Sequence, residues 1–399
     1  MYTREDVLTF VEEEDVKFIR LAFADIHGKM KNIAILPSEL ERAFRDGIPF
    51  ASSNIEGFNK YVLSDLYLHP DPSTLSILPW RPSNGRVVRM FCNVTYPDGT
   101  PFEGDGRSIL QNAIRYAMDN GVECTFGNES EFYLFKTDEE GEPTKEPFDK
   151  AGYFDIAPED KGENVRREIC FALSDMGIMP ESSHHEAGPG QNEVDFRYSD
   201  PLTAAENALT LRAVIKTIAT RSGLYAEFSP KPLDAHSGNG MHINIMVHAM
   251  SGEDMLESFM AGVLQHIEEL TFFLNPTEES YKRFGEKKAP IYVTWSSENR
   301  DQLILIPDCP ESRRHMKLRS PDSGANPYIA YALLIYAGVD GIRNDLKPAA
   351  PVNFDPAHDN DAVLSGLKKL PLSLTEARQL ALNSTFVRDI LGEDYLKLF

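Results

Sequence analysis

The sequence predicts an α+β protein of two domains, 1–102 and 103–399, on three observations. At 399 residues the chain exceeds the size at which one hydrophobic core stops growing. Short strand-like runs are interspersed with helical periods throughout. A turn-rich stretch, YPDGTPFEGDGR, interrupts that pattern near residue 102 without forming a flexible linker.

The elements follow in order. Residues 4–13 carry a helical period, and VKFIRLAFAD and then MKNIAILP read as strands. PSELERAF starts a helix with proline in its first turn, and RVVRMFCNV closes a small α+β unit as a further strand. Beyond the turn-rich stretch, a helix is expected from about Ser108, and helical stretches at 108–120, 163–177, 201–222 and 253–274 are interspersed with strand-like CTFGNESEFYLF, EVDFRY, LYAEFSP, HINIMV and LILIP. These make a larger α+β catalytic domain.

Composition narrows the function classes. Hydrophobic residues at 42% and charged residues at 26% are globular values, with no low-complexity tract or internal repeat. A formal charge of −22 without a compensating basic cluster disfavours nucleic acid and anionic membrane surfaces as partners. MYTREDVLTF lacks an apolar signal core, and no apolar run approaches the roughly 18 residues that span a bilayer, so a cytoplasmic protein is expected. Cys92, Cys124, Cys170 and Cys309 stand far apart and read as buried free thiols rather than disulfides or a thiolate metal site.

Two acidic patches and a histidine point to a divalent metal. Glu129 and Glu131 sit two apart in a strand-like run and project from one face. Glu186 and Glu193 flank a turn built from Gly-Pro-Gly, and His242 follows in GNGMHINI. Several carboxylates and few thiols suit a hard ion such as Mg2+ or Mn2+ in a nucleotide-using enzyme. A solvated acidic face is the other explanation of Glu129 and Glu131 taken alone.

Ten blocks in order, among them FADIHGKMKN, SSNIEGF, SDLYLHPDPSTL, GNESEFYLF, HHEAGPGQNEVDFRYSD, FSPKPL, GNGMH, IYVTWSSENR and LRSPDSGANPYIAYALLIYAGVDGI, give the chain a resemblance to the glutamine synthetase family along nearly its whole length. The resemblance implies an N-terminal β-grasp domain and a C-terminal catalytic domain whose antiparallel sheet curves into a half-barrel. It implies a homo-oligomer with active sites between subunits. It also implies an ATP-dependent ligase, in which the side-chain carboxylate of a glutamate-like acid is phosphorylated and an amine then attacks.

Carried over position by position, the resemblance gives Glu131, Glu186 and Glu193 as a complete first metal site, and Glu129 and His242 as two ligands of a second. Arg283 matches the grip on the substrate α-carboxylate, while Arg300 and Arg319 match arginines facing phosphate and the transferred carboxyl, Arg319 also touching substrate. Planar guanidinium forks suit such oxyanions. Ser237 and Gly238 match the substrate loop.

Other positions depart from the family. Lys317 replaces a glutamate ligand of the second metal. A divalent ion beside a carboxylate carries the same net charge as one ammonium, so Lys317 is expected against Glu129 in the ion's place. Ala51, in FASSNI, replaces the aspartate that helps bind and deprotonate ammonium. Lys288 stands where a glutamate guards the amine site, in a flap one residue short, so that both acids of the amine side are lost unless the shortened flap lets Glu286 reach it. Asn244, Met246, Leu305 and His315 replace polar or basic groups on the nucleotide side, Asn244 alone keeping hydrogen-bonding capacity there. Phe354 stands where regulated bacterial members carry a modifiable tyrosine. The ending at EDYLKLF, without the segment that locks two rings together, implies a single ring or a smaller oligomer.

Two classes of function follow. One is a ligase that uses ammonia or, in preference, another amine. The other is a noncatalytic relative that binds one metal or small ligand as a sensor or assembly partner.

Overall fold

The computed structural model describes residues 2–60, 62, 64–81, 84–286, 288–353 and 366–399. Phe354 lies outside them.

The first unit is a six-stranded mixed sheet. Helix α1 (Arg4–Glu13) opens with a capping box: Thr3 Oγ1 accepts from the Asp6 amide, and the Asp6 carboxylate accepts from the Thr3 amide. It buries Val7 and Val11 against the sheet. Strands β1 (Val16–Ala24), β2 (Met30–Ile35), β3 (Ile48–Ala51), β4 (Asp65–Pro70), β5 (Ser76–Ile77) and β6 (Arg86–Thr95) run in the order β2-β1-β6-β4-β3, with β5 also on β6. β1 and β6 are parallel, and helix α2 (Leu40–Asp46) makes the return between β2 and β3. This is the β-grasp arrangement.

The second unit is built around β7 (Val122–Thr137). Its sixteen residues are too many for one flat pairing. On one side β12 (Met241–Ala249) and then β11 (Leu224–Glu227) pair with it. On the other, β10 (Gln191–Phe196) and then β8 (Pro143–Pro147) do so. Strands β9 (Pro180–His185), β13 (Trp295–Ser296), β14 (Ile304–Leu305) and β15 (Met316–Leu318) complete the order β13-β14-β15-β12-β7-β10-β9. The sheet curls into a half-barrel.

Helices cover its convex face: α3 (Gly106–Asp119), α4 (Glu163–Asp175), α5 (Pro201–Arg221), α6 (Leu256–Leu274), α7 (Pro327–Arg343), α8 (Leu374–Asn383) and α9 (Thr385–Leu396). Alternation divides the two faces. Phe126, Phe132, Leu134, Val194, Ile243 and Ile245 are buried in the core, and Phe126 stacks on Tyr331 of α7 at 4.4 Å. The intervening residues point into the concavity. None of the helices among the described residues is long and apolar enough to cross a membrane.

Arg107, in the first turn of α3, joins the units. Its guanidinium, 2% exposed, donates to Asp71 of the first unit, Asn93 of β6 and Glu206 of α5, at 2.6–2.8 Å. All guanidinium nitrogens are used, which is how a buried arginine becomes tolerable.

Several expectations need adjusting. Helix α3 begins two residues earlier than Ser108 because Asp105 caps it, its carboxylate accepting from the Arg107 amide. The run LILIP supplies only a two-residue strand. Strands β3, β4 and β9, and helices α7 to α9, were not legible as elements. Of the four cysteines only Cys92 and Cys124 are buried; Cys170 and Cys309 are half-buried.

Candidate metal and substrate site

Sheet register assembles the site. β10 lies antiparallel to β7 with Glu193 opposite Glu131 and Asp195 opposite Glu129. On the other side of β7, His242 is opposite Glu129. β9 adds His184 opposite Glu193, and β15 adds Lys317 opposite Asn244. Residues directly opposite each other share a face. The concave face therefore carries three rows: His184, Glu193 and Glu131; Asp195, Glu129 and His242; Asn244, Lys317 and, one strand further, Leu305.

Glu186, at the turn between β9 and β10, closes the first row into a triad. One oxygen from each of Glu131, Glu186 and Glu193 lies within 4.8 Å of the others. The turn is held by Asp149, whose Oδ1 accepts from the Gly190 amide at 3.0 Å and faces His185 Nε2 at 2.9 Å. Each triad carboxylate keeps spare acceptor capacity: Glu131 accepts from the Gly240 amide at 2.7 Å, Glu186 from the Ala187 amide at 3.0 Å, and Glu193 faces His184 Nε2 at 3.2 Å.

The electrostatics fit a missing cation. Burial, and then the neighbouring carboxylates Glu131, Glu129 and Glu186, push Glu193 up to about 7, against a bond from His184 that acts the other way. Burial and the charges of Glu193 and Glu129 raise Asp195 well above its ordinary value. An all-oxygen set of buried carboxylates that repel one another is what Mg2+ or Mn2+ relieves.

Glu129 is arranged differently. Its Oε1 receives the Lys317 ammonium in a short contact and the Asn244 amide at 3.1 Å, while its Oε2 faces His242 Nδ1 at 3.1 Å. Burial works against its charge, but His242 and Lys317 together hold its carboxyl well below the usual range. His242 itself is pushed down by burial and by the nearby Arg319 charge, so its imidazole is neutral near pH 7.

A cavity of about 410 Å³ opens beside the triad, lined by Glu131, Glu186, His242, Ser237, Gly238, Arg283, Glu286, Lys288 and Arg300. Arg283 is 2% exposed; its Nη1 donates to the Ser320 carbonyl at 3.2 Å, and its Nε has no partner. Arg319, also buried, likewise has an unpartnered Nε. Arg283 and Arg300 line the cavity, and guanidinium forks there fit an oxyanion ligand.

The loop of Ser237 and Gly238 needs glycine where it crosses Arg283. A Cβ on Gly238 would lie 2.5 Å from both Arg283 Cγ and the Pro230 carbonyl oxygen. Tyr133 donates to the Ser237 carbonyl at 2.7 Å and Gln191 to the Gly238 carbonyl at 3.1 Å, pinning the loop.

The flap after Arg283 is tightly hydrogen-bonded, Gly285 N to Ala289 O and Ala289 N to Glu286 O, at 2.8 and 2.9 Å. This turns Glu286 to the cavity wall, where it meets the ammonium of the buried Lys231. Lys288, with φ 62°, holds its ammonium 3.8 Å from Glu186 and 4.5 Å over the Tyr153 ring.

The remaining predicted residues are more dispersed. Ala51 sits at the exposed end of β3, paired with Asp65, and does not line this chain's cavity. Asn244 donates its amide to Glu129 at 3.1 Å. Met246 lies two further along β12, Leu305 is buried beside Lys317, and His315 faces the Arg313 carbonyl at 2.7 Å, against the edge of Tyr198.

Sequence reasoning missed His184, Asp195 and Tyr153. Asp195 carried a signal: it follows Glu193 by two, the same alternation that pairs Glu129 with Glu131. His184 and Tyr153 reach the site only through tertiary packing, Tyr153 lying edge-on to His184 at 5.7 Å.

Comparison with known proteins gives a consistent match over the whole chain. The sequence models described as "Glutamine synthetase, beta-Grasp domain" and "Glutamine synthetase, catalytic domain" match residues 15–97 and 103–399. The glutamine synthetase of Methanosarcina mazei is 43% identical, with 98% of this chain and 91% of that protein covered, and that of Clostridium saccharobutylicum is 42% identical at 98% and 92%. Among solved structures, a GmaS/ADP complex superposes with a TM-score of 0.89 at 26% identity, covering 98% of this chain and 94% of that one. Plasmodium falciparum glutamine synthetase, at 22% identity and a TM-score of 0.88, covering 100% and 94%, shares the fold.

Proposed function

The chain belongs to the glutamine synthetase family of ATP-dependent ligases, and from that premise we propose that it joins the side-chain carboxylate of a glutamate-like acid to an amine other than ammonia. The observation that carries this reading is a buried three-carboxylate cluster, two of whose members, Glu131 and Glu186, share a cavity with Arg283 and Arg300.

In this reading Glu131, Glu186 and Glu193 hold one Mg2+ or Mn2+, which when bound supplies Lewis-acid stabilisation of the transferring phosphoryl group. Arg283 grips the α-carboxylate of the acid, with Ser237 and Gly238 forming the adjacent wall. Arg319 and Arg300 face the side-chain carboxylate and the phosphate. A carboxylate oxygen attacks the γ-phosphorus of ATP, giving ADP and an acyl phosphate. The amine nitrogen then attacks the acyl carbon, phosphate departs, and the nitrogen sheds a proton.

The amine side supports the altered nucleophile. Lys288 places a positive charge beside Glu186 and over Tyr153, where an incoming ammonium would be repelled. An amine of low basicity arrives uncharged. Glu286 is the acid at this wall and is assigned the role of proton acceptor, with the Lys231 ammonium positioning its carboxylate. Ala51 lies away from its own chain's cavity, so a neighbouring subunit's copy is assigned to the amine side, where its methyl leaves room for a substituent. Family members are oligomeric, and the oligomer here is proposed to be homomeric and cytoplasmic.

The test is phosphate release from ATP, with Mg2+ and glutamate present, over a panel of amines from ammonia to aromatic amines. Release that depends on an amine of low basicity and exceeds that with ammonia is expected. Release with ammonia alone overturns the altered-amine reading. No release and no ATP binding at millimolar nucleotide returns the chain to the noncatalytic class.

A further inference from the structure

We infer that the ammonium of Lys317 takes the place of a second divalent ion, so that this site works with one exchangeable metal and one cation built into the chain; the inference rests on the ligase reading of the carboxylate triad.

Among the described residues three clusters of candidate metal ligands share Glu193, one of them His184, Glu193 and Asp195, and the other two differ in the groups around them. Glu131, Glu186 and Glu193 form one; Glu129, Glu193 and His242 form the other, each with its ligand atoms within 4.8 Å. By residue type both suit a divalent ion. Their surroundings separate them.

In the first cluster each carboxylate has one partner within 3.2 Å, and the Lys288 ammonium stands off at 3.8 Å from Glu186. In the second, Glu129 is committed to three partners at once: Lys317 and Asn244 on one oxygen, His242 on the other. A carboxylate offers about four acceptor positions, so one remains. The His242 nitrogen that faces Glu129 is itself used in that contact. An incoming ion would meet a fixed positive charge and a single free acceptor on Glu129.

The position of Lys317 is set by the backbone. It stands opposite Asn244 on β12, two residues from His242, which stands opposite Glu129. The Lys317 side chain therefore emerges on the concave face, within reach of Glu129 across one intervening strand. Its side chain is 19% exposed, and that of Glu129 16%. This is a mostly buried pair on the concave face rather than a surface contact.

The chemical consequence is specific. An ammonium neutralises Glu129 as an ion would, but it donates hydrogen bonds and cannot coordinate several phosphate oxygens. Phosphate on this side of the cavity is left to guanidinium groups and to the one metal.

The experiment counts ions on the full-length protein. Calorimetric titration with Mn2+ gives the stoichiometry, and anomalous diffraction from Mn2+-soaked crystals gives the positions. The wild type is expected to bind one ion per chain, among Glu131, Glu186 and Glu193. Lys317→Glu, which removes the ammonium and adds a carboxylate, is expected to bind two, the added ion beside Glu129 and His242. If Lys317→Glu does not fold, Lys317→Ala carries the same comparison with the same expected gain. A second ion beside Glu129 in the wild type overturns the inference and leaves the ligase reading standing. A folded variant that gains no ion also overturns it. A wild type that binds none at the triad while the variant gains one beside Glu129 strikes the ligase reading and supports the inference.

Discussion

Replacing Glu193 by glutamine should stabilise the metal-free protein at high pH, and the size of the effect follows from the crowding of carboxylates. Burial and the charges of Glu131, Glu129 and Glu186 raise Glu193 from 4.5 to about 7. In the unfolded chain it ionises near its ordinary value. Between about pH 4.5 and 7 the folded state therefore holds a proton that the unfolded state has released, and stability falls as pH rises through that window. At 1.36 kcal/mol per pKa unit the loss comes to about 3 kcal/mol above pH 7. Glu193→Gln keeps the shape and removes the charge. In urea denaturation with a chelator present it should be more stable than the wild type by up to about 3 kcal/mol at pH 8, and equal to it at pH 4. With Mn2+ in place of the chelator the advantage should nearly vanish at a hundredfold excess over Kd, where the ion stabilises the folded wild type by about 2.7 kcal/mol, and the order should reverse at a thousandfold excess, where the gain is about 4.1 kcal/mol. Equal stabilities at pH 8 without metal, or an advantage for glutamine that persists at pH 4, would refute the reasoning.

Three further outcomes are expected. Arg283→Gln should raise KM for the acid substrate about ten- to a hundredfold, from the ~1.5–3 kcal/mol of a hydrogen bond to a charged group, with the Mn2+ stoichiometry unchanged; steady-state kinetics with calorimetry checks this. Glu286→Gln should lower kcat by about 10²- to 10⁴-fold as the loss of a positioned base while leaving ATP binding intact, and an unchanged kcat removes Glu286 from the amine side. Arg107→Met should cost about 3–5 kcal/mol, measured by urea denaturation, because it strands the buried Glu206 and the Asp71 carboxylate.

Much of this protein was legible in its sequence because periodicity reports which face of an element is buried. The alternation of Glu129 with Glu131 placed both on one face of a strand, and the structure shows the opposite face filled by Phe126, Phe132 and Leu134. The Gly-Pro-Gly turn between Glu186 and Glu193 is the loop beside the hairpin of β9 and β10. The glycine beside Ser237 stands where Arg283 leaves no room for a side chain. Each of these is a local rule, fixed within a few residues.

What local sequence rules do not supply depends on pairings between distant segments. Lys317 and Glu129 stand 188 positions apart; their meeting was expected only from the family resemblance, and the register of β15 on β12 and of β12 on β7 is what brings the ammonium to the carboxylate. The turn of Glu286 toward the cavity depends on hydrogen bonds within the flap and on Lys231, 55 residues earlier. Tyr153 and His184 meet through the packing of a loop on a strand edge. The sequence by itself determined the family, the two-domain α+β architecture and the residue types of the site. The tertiary structure decided which of those charges face one another, because a side chain's partner is set by strand register and packing, and neither is encoded within any single segment.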